Sequence, residues 1–390
     1  MSTSTEARSA AQAAGEITRG MRDGVEVHKA ALQAGLNTRL LPRQVLQVYG
    51  RGGVKTSFTH GIPQASTLSG VTFTQDLRMR RGLLGKAGIS QPRGATFSIG
   101  KARPSIRRYA EKLGYPVVVK PSLGDSTIDV MRGIRNRHEL DSALNTLMTP
   151  PEEREDSTQA AYGITELRKP GWENGRVTVP PGYRVLVEEE LRGDYLRLLI
   201  VDRKVVSAVR CSQDPWGADN EEAPVNDLDP EVLATAENVV TALPGLSLLA
   251  VDVVALPEAD EEGARVKVVD VSERPWLEVQ HRISPALSNK LAHKILQHGV
   301  KPAKAEEPRM STLSVDVDFE GVVSPKEFVA ALSAYASQQE LGLGLDIRNN
   351  ALGYVGGRLE GTPQRIAELV EVVLDRGVDG QSAMKAEITQ

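Results

Sequence analysis

Two short stretches decide the fold of this 390-residue chain: Leu248–Val254, which reads LLAVDVV, and Val266–Val271, which reads VKVVDV. Each is rich in β-branched residues and carries an aspartate inside an apolar run, which is typical of a buried strand. The acidic, glycine-containing segment 257–263 separates them. We therefore expect a hairpin centred on Glu261, in which Asp252 and Asp270 face each other across the two strands.

Two facing carboxylates in a buried hairpin admit two explanations. They repel each other, and burying them without partners is costly, so a divalent cation bound by both would relieve the repulsion and the burial cost. Oxygen ligands completed by the phosphates of a substrate suit Mg²⁺. The same pattern is equally consistent with one aspartate capping a loop or pairing with an arginine such as Arg274. The hairpin alone leaves both readings open.

A lysine at the end of a valine-rich strand is the second feature. Lys120 follows three valines and precedes the small polar loop Pro121–Thr127, which contains Gly124. An ammonium group and the backbone N–H groups of such a loop can hold a phosphate. The segment is not a P-loop, because no Gly-Lys-Ser/Thr follows. The competing interpretation is a lysine that is simply solvated.

The third feature is a strand that ends in carboxylates, Val185–Glu190, followed by further strands that carry arginines. The end of such a strand could offer hydrogen-bonding groups to an adenine edge. Arg197 and Arg210 could neutralise a phosphate during transfer. Without further context, a solvated run of charges explains the same residues.

Composition excludes several classes of protein. The chain is 40% hydrophobic and 25% charged, which is typical of a folded globular protein. A net charge of −4 provides no general attraction for nucleic acid, and the single cysteine, Cys211, excludes an internal disulfide framework. Residues 239–256 are apolar, but Pro244-Gly245 and Asp252 interrupt them, so we predict no membrane span. The N-terminus lacks a signal-peptide pattern, and we expect a cytoplasmic protein.

The alternation of strand and helix patterns predicts an α/β and α+β architecture. We expect strands at 117–120, 183–190, 195–201, 204–210, 247–256 and 265–272, and helices at 74–86, 103–113, 137–148, 230–242 and 284–298. Residues 151–182 show little periodicity, which is typical of a lid or an insertion. The predicted domains are 1–110 (N-terminal helices and the region before the nucleotide-binding domain), 111–298 (the nucleotide-binding domain), 299–310 (a linker) and 311–390 (a C-terminal domain).

In this order, the three features resemble the ATP-grasp superfamily, in particular the ATP-grasp portion of the cyanophycin synthetases. The likeness runs from Leu41 to Ser288 and is carried by the following stretches: Leu46–Gly50, Thr74–Asp76, Leu83-Leu84, Ala87–Ile89, Gly114–Pro121 and Val185–Val201. The resemblance implies two α+β subdomains that clasp ATP. It also implies a carboxylate–amine ligase, which forms an amide through an acyl phosphate and releases ADP and phosphate.

The resemblance also implies a role for each matching residue. ATP would be bound by Lys120, Gly124, Ser126, Thr127, Glu188, Leu191 and Asp194; Mg²⁺ by Asp252, Asp270 and Ser272; and the transferring phosphoryl group by Arg210 and Arg197. The implied partners are small-molecule or peptide substrates, with no nucleic acid or membrane. A homo-oligomer is plausible for this superfamily.

This sequence departs from the family pattern at several positions. The usual Asp-Lys is Asp76-Leu77 here, and Arg78, Arg80 or Arg81 would replace the lysine. The second metal strand, usually Glu-x-Asn, reads Asp270-Val271-Ser272. Because Lys120, Glu188, Asp252 and an acid at position 270 persist, we expect an active amino acid or peptide ligase. The departures favour the alternative, a degenerate ATP-grasp protein that binds nucleotide or acts as a scaffold without ligase turnover.

From Ser311 the chain resembles acylphosphatase, a ferredoxin-like α/β sandwich. The matching residues include Phe319–Val323, Phe328, Asn349 and Gly353. Val329 stands where acylphosphatases carry their phosphate-binding arginine, so we predict no phosphatase activity. Dimerisation or peptide binding is the expected role of this part of the chain.

Overall fold

The computed structural model describes residues 17–50, 53–124, 129–150, 153, 170–180, 182–212, 221–300, 311–337 and 342–390. Its helices are α1 (Arg22–Gln33), α2 (Leu68–Gln75), α3 (Leu77–Lys86), α4 (Arg103–Leu113), α5 (Arg137–Met148), α6 (Pro230–Ala242), α7 (Glu278–Ile283), α8 (Pro285–Gly299), α9 (Pro325–Ala336) and α10 (Pro363–Asp375). Two predicted phosphate-loop residues, Ser126 and Thr127, lie outside the described residues, as do 301–310 of the expected linker.

The strands in chain order are β1 (Asn37–Leu41), β2 (Val45–Gly50), β3 (Gly53–Thr59), β4 (Ile62–Pro63), β5 (Gly94–Ser98), β6 (Val117–Pro121), β7 (Met131–Ile134), β8 (Gly171–Glu173), β9 (Arg176–Thr178), β10 (Arg184–Glu189), β11 (Asp194–Val201), β12 (Lys204–Cys211), β13 (Glu222–Pro224), β14 (Leu248–Ala255), β15 (Val266–Ser272), β16 (Leu313–Val322), β17 (Gly344–Ala351), β18 (Gly353–Gly361) and β19 (Lys385–Thr389). The strands predicted from β-branched runs are confirmed to within two residues.

One predicted helix is divided in two. Residues 74–86 contain the end of α2 and the whole of α3, and the break falls at Asp76, whose backbone is extended. The Asp76 carboxylate accepts hydrogen bonds from the backbone N–H groups of Arg78 and Met79. An aspartate in this position caps a new helix rather than continuing the previous one. The helical periodicity on both sides concealed the break.

The segment 65–275 forms one compact unit with two main antiparallel sheets. The first sheet has the strand order β5-β10-β6-β7, and the second has the order β13-β12-β11-β14-β15. Helices α4 and α5 cover the first sheet, and α6 packs against the second. Alternating valines, leucines and isoleucines supply both cores, since the inward positions of each strand bury their side chains against these helices.

The other compact unit combines residues up to Gln64 with residues from Trp276 onward. Its sheet has the strand order β17-β18-β16-β19-β1-β2-β3-β4. The C-terminal elements follow the predicted order of strand, helix, strand, strand, helix, strand. Across the sheet these four strands lie in the order β19-β16-β18-β17. Numbered along the chain from β16, that order is 4-1-3-2, which is the ferredoxin-like arrangement.

This division differs from the predicted domain boundaries at 110, 298 and 310. The C-terminal strand β19 pairs with β1, with Thr38 opposite Ile388, and helix α10 packs against α1. Residues 311–390 therefore share one sheet and one core with the N-terminal part of the chain. Among the described residues, no helix has the length and apolar character that a membrane crossing requires.

Candidate functional site

The two aspartates that the hairpin pattern singled out do face each other. Asp252 in β14 and Asp270 in β15 are directly opposite in the antiparallel register, and a strand irregularity follows Asp252. Both side chains are buried, with 1% and 6% of their surface exposed. The expected juxtaposition of two carboxylates is therefore present.

Asp252 is fully engaged by residues from the neighbouring strand β11. Arg197 lies opposite Asp252 on the other side of β14. Its Nε donates to Asp252 Oδ1 at 2.7 Å and its Nη2 to Oδ2 at 3.0 Å, and the Tyr195 hydroxyl donates to Oδ2 at 2.9 Å. Burial raises the pKa of the Asp252 carboxyl, and the charge of Arg197 opposes that shift. The result is a bidentate, charge-assisted pair inside the sheet.

Asp270 has its own arginine partner, contributed by helix α3. Arg80 Nη1 lies 2.7 Å from Asp270 Oδ1 and also donates to the Val271 carbonyl at 2.6 Å. The same Asp270 oxygen accepts the backbone N–H of Val271 at 2.7 Å. Among the three arginines considered for the missing lysine, Arg80 is the one that contacts this acidic strand.

The other two arginines have different partners. Arg78 is half-exposed and binds the capping residue Asp76, with Nη2 2.6 Å from Oδ2. Arg81 lies 3.2 Å from Glu188 and donates to the Pro92 carbonyl at 2.7 Å. Burial lowers the pKa of Arg81, and Glu188 partly offsets the shift.

Lys120 and Glu188, predicted to bind different parts of ATP, are paired with each other. Lys120 in β6 and Glu188 in the adjacent strand β10 approach to 2.6 Å between Nζ and Oε1. Lys120 Nζ also donates to the Val269 carbonyl at 3.0 Å. Both side chains are buried. The lysine is therefore not the solvated side chain of the competing interpretation, since its charge is balanced within the protein.

The remaining predicted residues have contacts of their own. Asp194 and Arg210 form a largely exposed ion pair at 3.6 Å. Leu191 is partly buried. The Ser272 hydroxyl accepts the Arg274 backbone N–H at 3.1 Å, and the Gly124 N–H donates to the Gln75 carbonyl at 2.9 Å.

Sequence reasoning missed one buried acid. Glu273 follows β15 directly and accepts hydrogen bonds from Thr74 at 2.5 Å and from Gln75 Nε2 at 2.9 Å. It thereby ties the end of α2 to the segment after the acidic strand. Its position in the sequence could have revealed it, because Glu273 directly follows β15, a strand in which every residue is buried.

The space enclosed by these charges is small. Arg80, Arg81, Lys120, Glu188 and Asp270 are among the residues that line a cavity of about 10 Å³. That volume accommodates about one water molecule.

The three residues expected to hold magnesium, which are Asp252, Asp270 and Ser272, all have partners within the chain. Arg197 and Arg80 already supply the positive charge that an ion would bring to the two aspartates. The Ser272 hydroxyl is engaged with its own turn.

Comparisons with known proteins find solved structures that resemble part of this chain. No family model matches the chain, and no curated protein matches it. Solved structures that match include the D-alanine–D-alanine ligase from Bacillus anthracis, at 18% identity over 61% of this chain and 69% of that one, with a TM-score of 0.41.

A second match is the VanG D-Ala:D-Ser ligase from Enterococcus faecalis, at 16% identity over 60% of this chain and 64% of that one, with a TM-score of 0.40. A third is the ATP-grasp ligase PsnB in complex with a phosphomimetic variant of its minimal precursor, Mg and ADP, at 15% identity over 59% of this chain and 60% of that one, with a TM-score of 0.39. Likenesses of this size assign neither a family nor an activity to the chain.

Proposed function

We propose that this chain uses an ATP-grasp-type framework as a binding scaffold and does not carry out ATP-dependent ligation. One observation supports this proposal above the others. Three of the four acids expected to hold magnesium or nucleotide are each paired with a buried cation of the same unit: Asp252 with Arg197, Asp270 with Arg80, and Glu188 with Lys120. The fourth, Asp194, forms an exposed ion pair with Arg210. The framework is retained, and its charges are satisfied internally.

The energetic consequence concerns the metal first. An ion at Asp252 would lie beside the Arg197 guanidinium, which is buried and already donates to both carboxylate oxygens. Like charges close together in a buried site repel each other, so the ion would bind less favourably there than at two carboxylates without arginine partners. The same repulsion arises at Asp270 beside Arg80.

The nucleotide faces a similar obstacle. Ligand pockets of drug-sized molecules measure roughly 300–1,000 Å³. The cavity at Lys120 and Glu188 is about 10 Å³. A phosphate that approached Lys120 would compete with Glu188, whose carboxylate already accepts from the ammonium group at 2.6 Å.

A second candidate function is the carboxylate–amine ligase itself, acting on an amino acid or peptide through an acyl phosphate. A specific observation favours it: Lys120, Glu188, Asp270 and Arg80, from four different elements, line one cavity. The charged lining residues are three cations (Arg80, Arg81 and Lys120) and two acids (Glu188 and Asp270). The excess of one positive charge would suit a phosphate group.

A coupled ADP-release assay distinguishes the two functions. Full-length protein is incubated with Mg-ATP and panels of amino acids and dipeptides, and the products are analysed by mass spectrometry. We expect no release above that of Lys120→Ala, and the exposed-site variant Lys204→Ala serves as the matched control. Release that requires both a carboxylate and an amine, persists in Lys204→Ala and disappears in Lys120→Ala would establish the ligase instead.

A further inference from the structure

An open sheet edge lies at the C-terminal end of the eight-stranded sheet. Strand β17 is terminal in that sheet and pairs with β18 on one side. No other strand among the described residues pairs with its second edge. The opposite end of the sheet is the two-residue strand β4, which includes Pro63 and offers few donors. An edge of eight residues presents a row of backbone N–H and C=O groups to a further strand.

The charges along this edge are self-complementary. Asp346 and Arg348 flank Ile347; the side chain of Asp346 is largely exposed and that of Arg348 is half-exposed. Both lie on one face of the sheet, because Arg348 Nε approaches Asp346 at 3.4 Å and Arg348 Nη1 approaches Asp316 at 3.2 Å. When two such strands run antiparallel with Ile347 opposite Ile347, each Asp346 faces the Arg348 of the other copy.

We propose that two copies of this chain associate through β17, antiparallel and centred on Ile347. The contact is isologous, so every favourable pair occurs twice. The charge pattern selects this register, because a shift that centres the pairing on Asp346 or on Arg348 places like charges opposite each other. The intramolecular contacts of Arg348 are exposed, and exposed ion pairs are weak, so the arginine can exchange partners at little cost.

The length of the regular pairing limits the strength of association. The register of β17 against β18 shifts between Ile347 and Asn349. A bulge of this kind bends the strand and ends regular pairing close to the centre of the contact. The association is therefore concentration-dependent, and the free and paired forms exchange.

Charge reversal tests the proposal on the full chain. Sedimentation velocity over about a hundredfold range of concentration should show self-association of the unmodified protein. Asp346→Arg sets arginine against arginine, and Arg348→Asp sets aspartate against aspartate. Each single change should weaken association by about tenfold or more. The double variant D346R/R348D should restore it, because the pairs are again opposite in charge.

Mixing gives the sharpest readout. The two single variants, each weakened alone, should form a heterodimer together, since one contributes two arginines and the other two aspartates. Lys204→Asp is the control for a change of net charge: this exposed lysine lies on β12 in the other compact unit, and its reversal should leave association unchanged. Thermal melts by circular dichroism confirm that each variant is folded.

Three results would overturn the proposal. The first is an unmodified protein that stays monomeric throughout the concentration range. The second is association that both single variants retain, which would place the contact on another surface. The third is a mixture of the two single variants that associates no better than either alone.

Discussion

Asp252 and Arg197 lie opposite each other on adjacent antiparallel strands and form two parallel hydrogen bonds of 2.7 and 3.0 Å. The pair is almost completely buried, and the Tyr195 hydroxyl adds a third bond to the carboxylate. Pairing of one aspartate with an arginine was one of the two explanations that the hairpin left open, and the arginine beside Asp252 is Arg197.

Removing the arginine should be strongly destabilising. Arg197→Met leaves the Asp252 carboxylate buried without its cation, and we expect the free energy of unfolding to fall by about 3–5 kcal/mol. The double variant Arg197→Met with Asp252→Leu should recover most of that loss, because it leaves no unpaired charge. Urea denaturation measures both values. Equal stability of the single and double variants would show that the pair is not coupled.

Divalent cations should leave thermal stability unchanged. A ligand that binds only the folded state stabilises it by about 2.7 kcal/mol at a hundredfold excess over its dissociation constant. Because both aspartates already have arginine partners, we expect the same melting temperature with millimolar MgCl₂ and with EDTA. The Asp270→Asn variant is the comparison. A magnesium-dependent rise in the unmodified protein that this variant lacks would point to a metal bound at Asp270.

Glu371 should make the protein less stable as the pH rises above the ordinary pKa range of a carboxyl group. The residue is buried in α10, and burial raises the pKa of its carboxyl well above the ordinary value, with Asp375 adding to the shift. The folded-state pKa lies above the unfolded one, so its contribution to stability is complete below the unfolded pKa. That contribution is lost as pH rises through the folded pKa. Glu371→Gln should flatten this loss in urea denaturation measured from acidic to alkaline pH.

His28 should make the protein less stable as the pH falls. Its ring is buried, contacts Thr38 Oγ1 at 3.0 Å and lies 4.0 Å from Glu371. Burial lowers the pKa of His28 to about 3. The neutral ring therefore supports the fold above the unfolded-state pKa of about 6.5, and that support declines as pH falls toward 3. His28→Gln should reduce the loss of stability below neutral pH, and an unchanged acid profile would exclude this residue as its cause.

The part of the site that is formed by residues close together in the sequence could be predicted from the sequence. Strand positions 252 and 270 are joined by a short loop, so strand periodicity and loop length suffice to place Asp252 opposite Asp270. The same holds for the order of strands and helices after Ser311, where each element is adjacent in sequence to the next. The helix break at Asp76 was missed because aspartate is compatible with both a helix interior and a helix cap.

The order of residues was enough to predict the strands that carry Asp252 and Asp270, the opposition of these two aspartates, and the order of elements after Ser311. Packing between distant segments was needed to show that Arg197 and Arg80 neutralise those aspartates, that Lys120 pairs with Glu188, and that β19 joins β1 in one sheet. The physical reason is the distance along the chain. Local periodicity reports which face of an element is buried, whereas the partner of a buried charge depends on which distant strand or helix packs beside it.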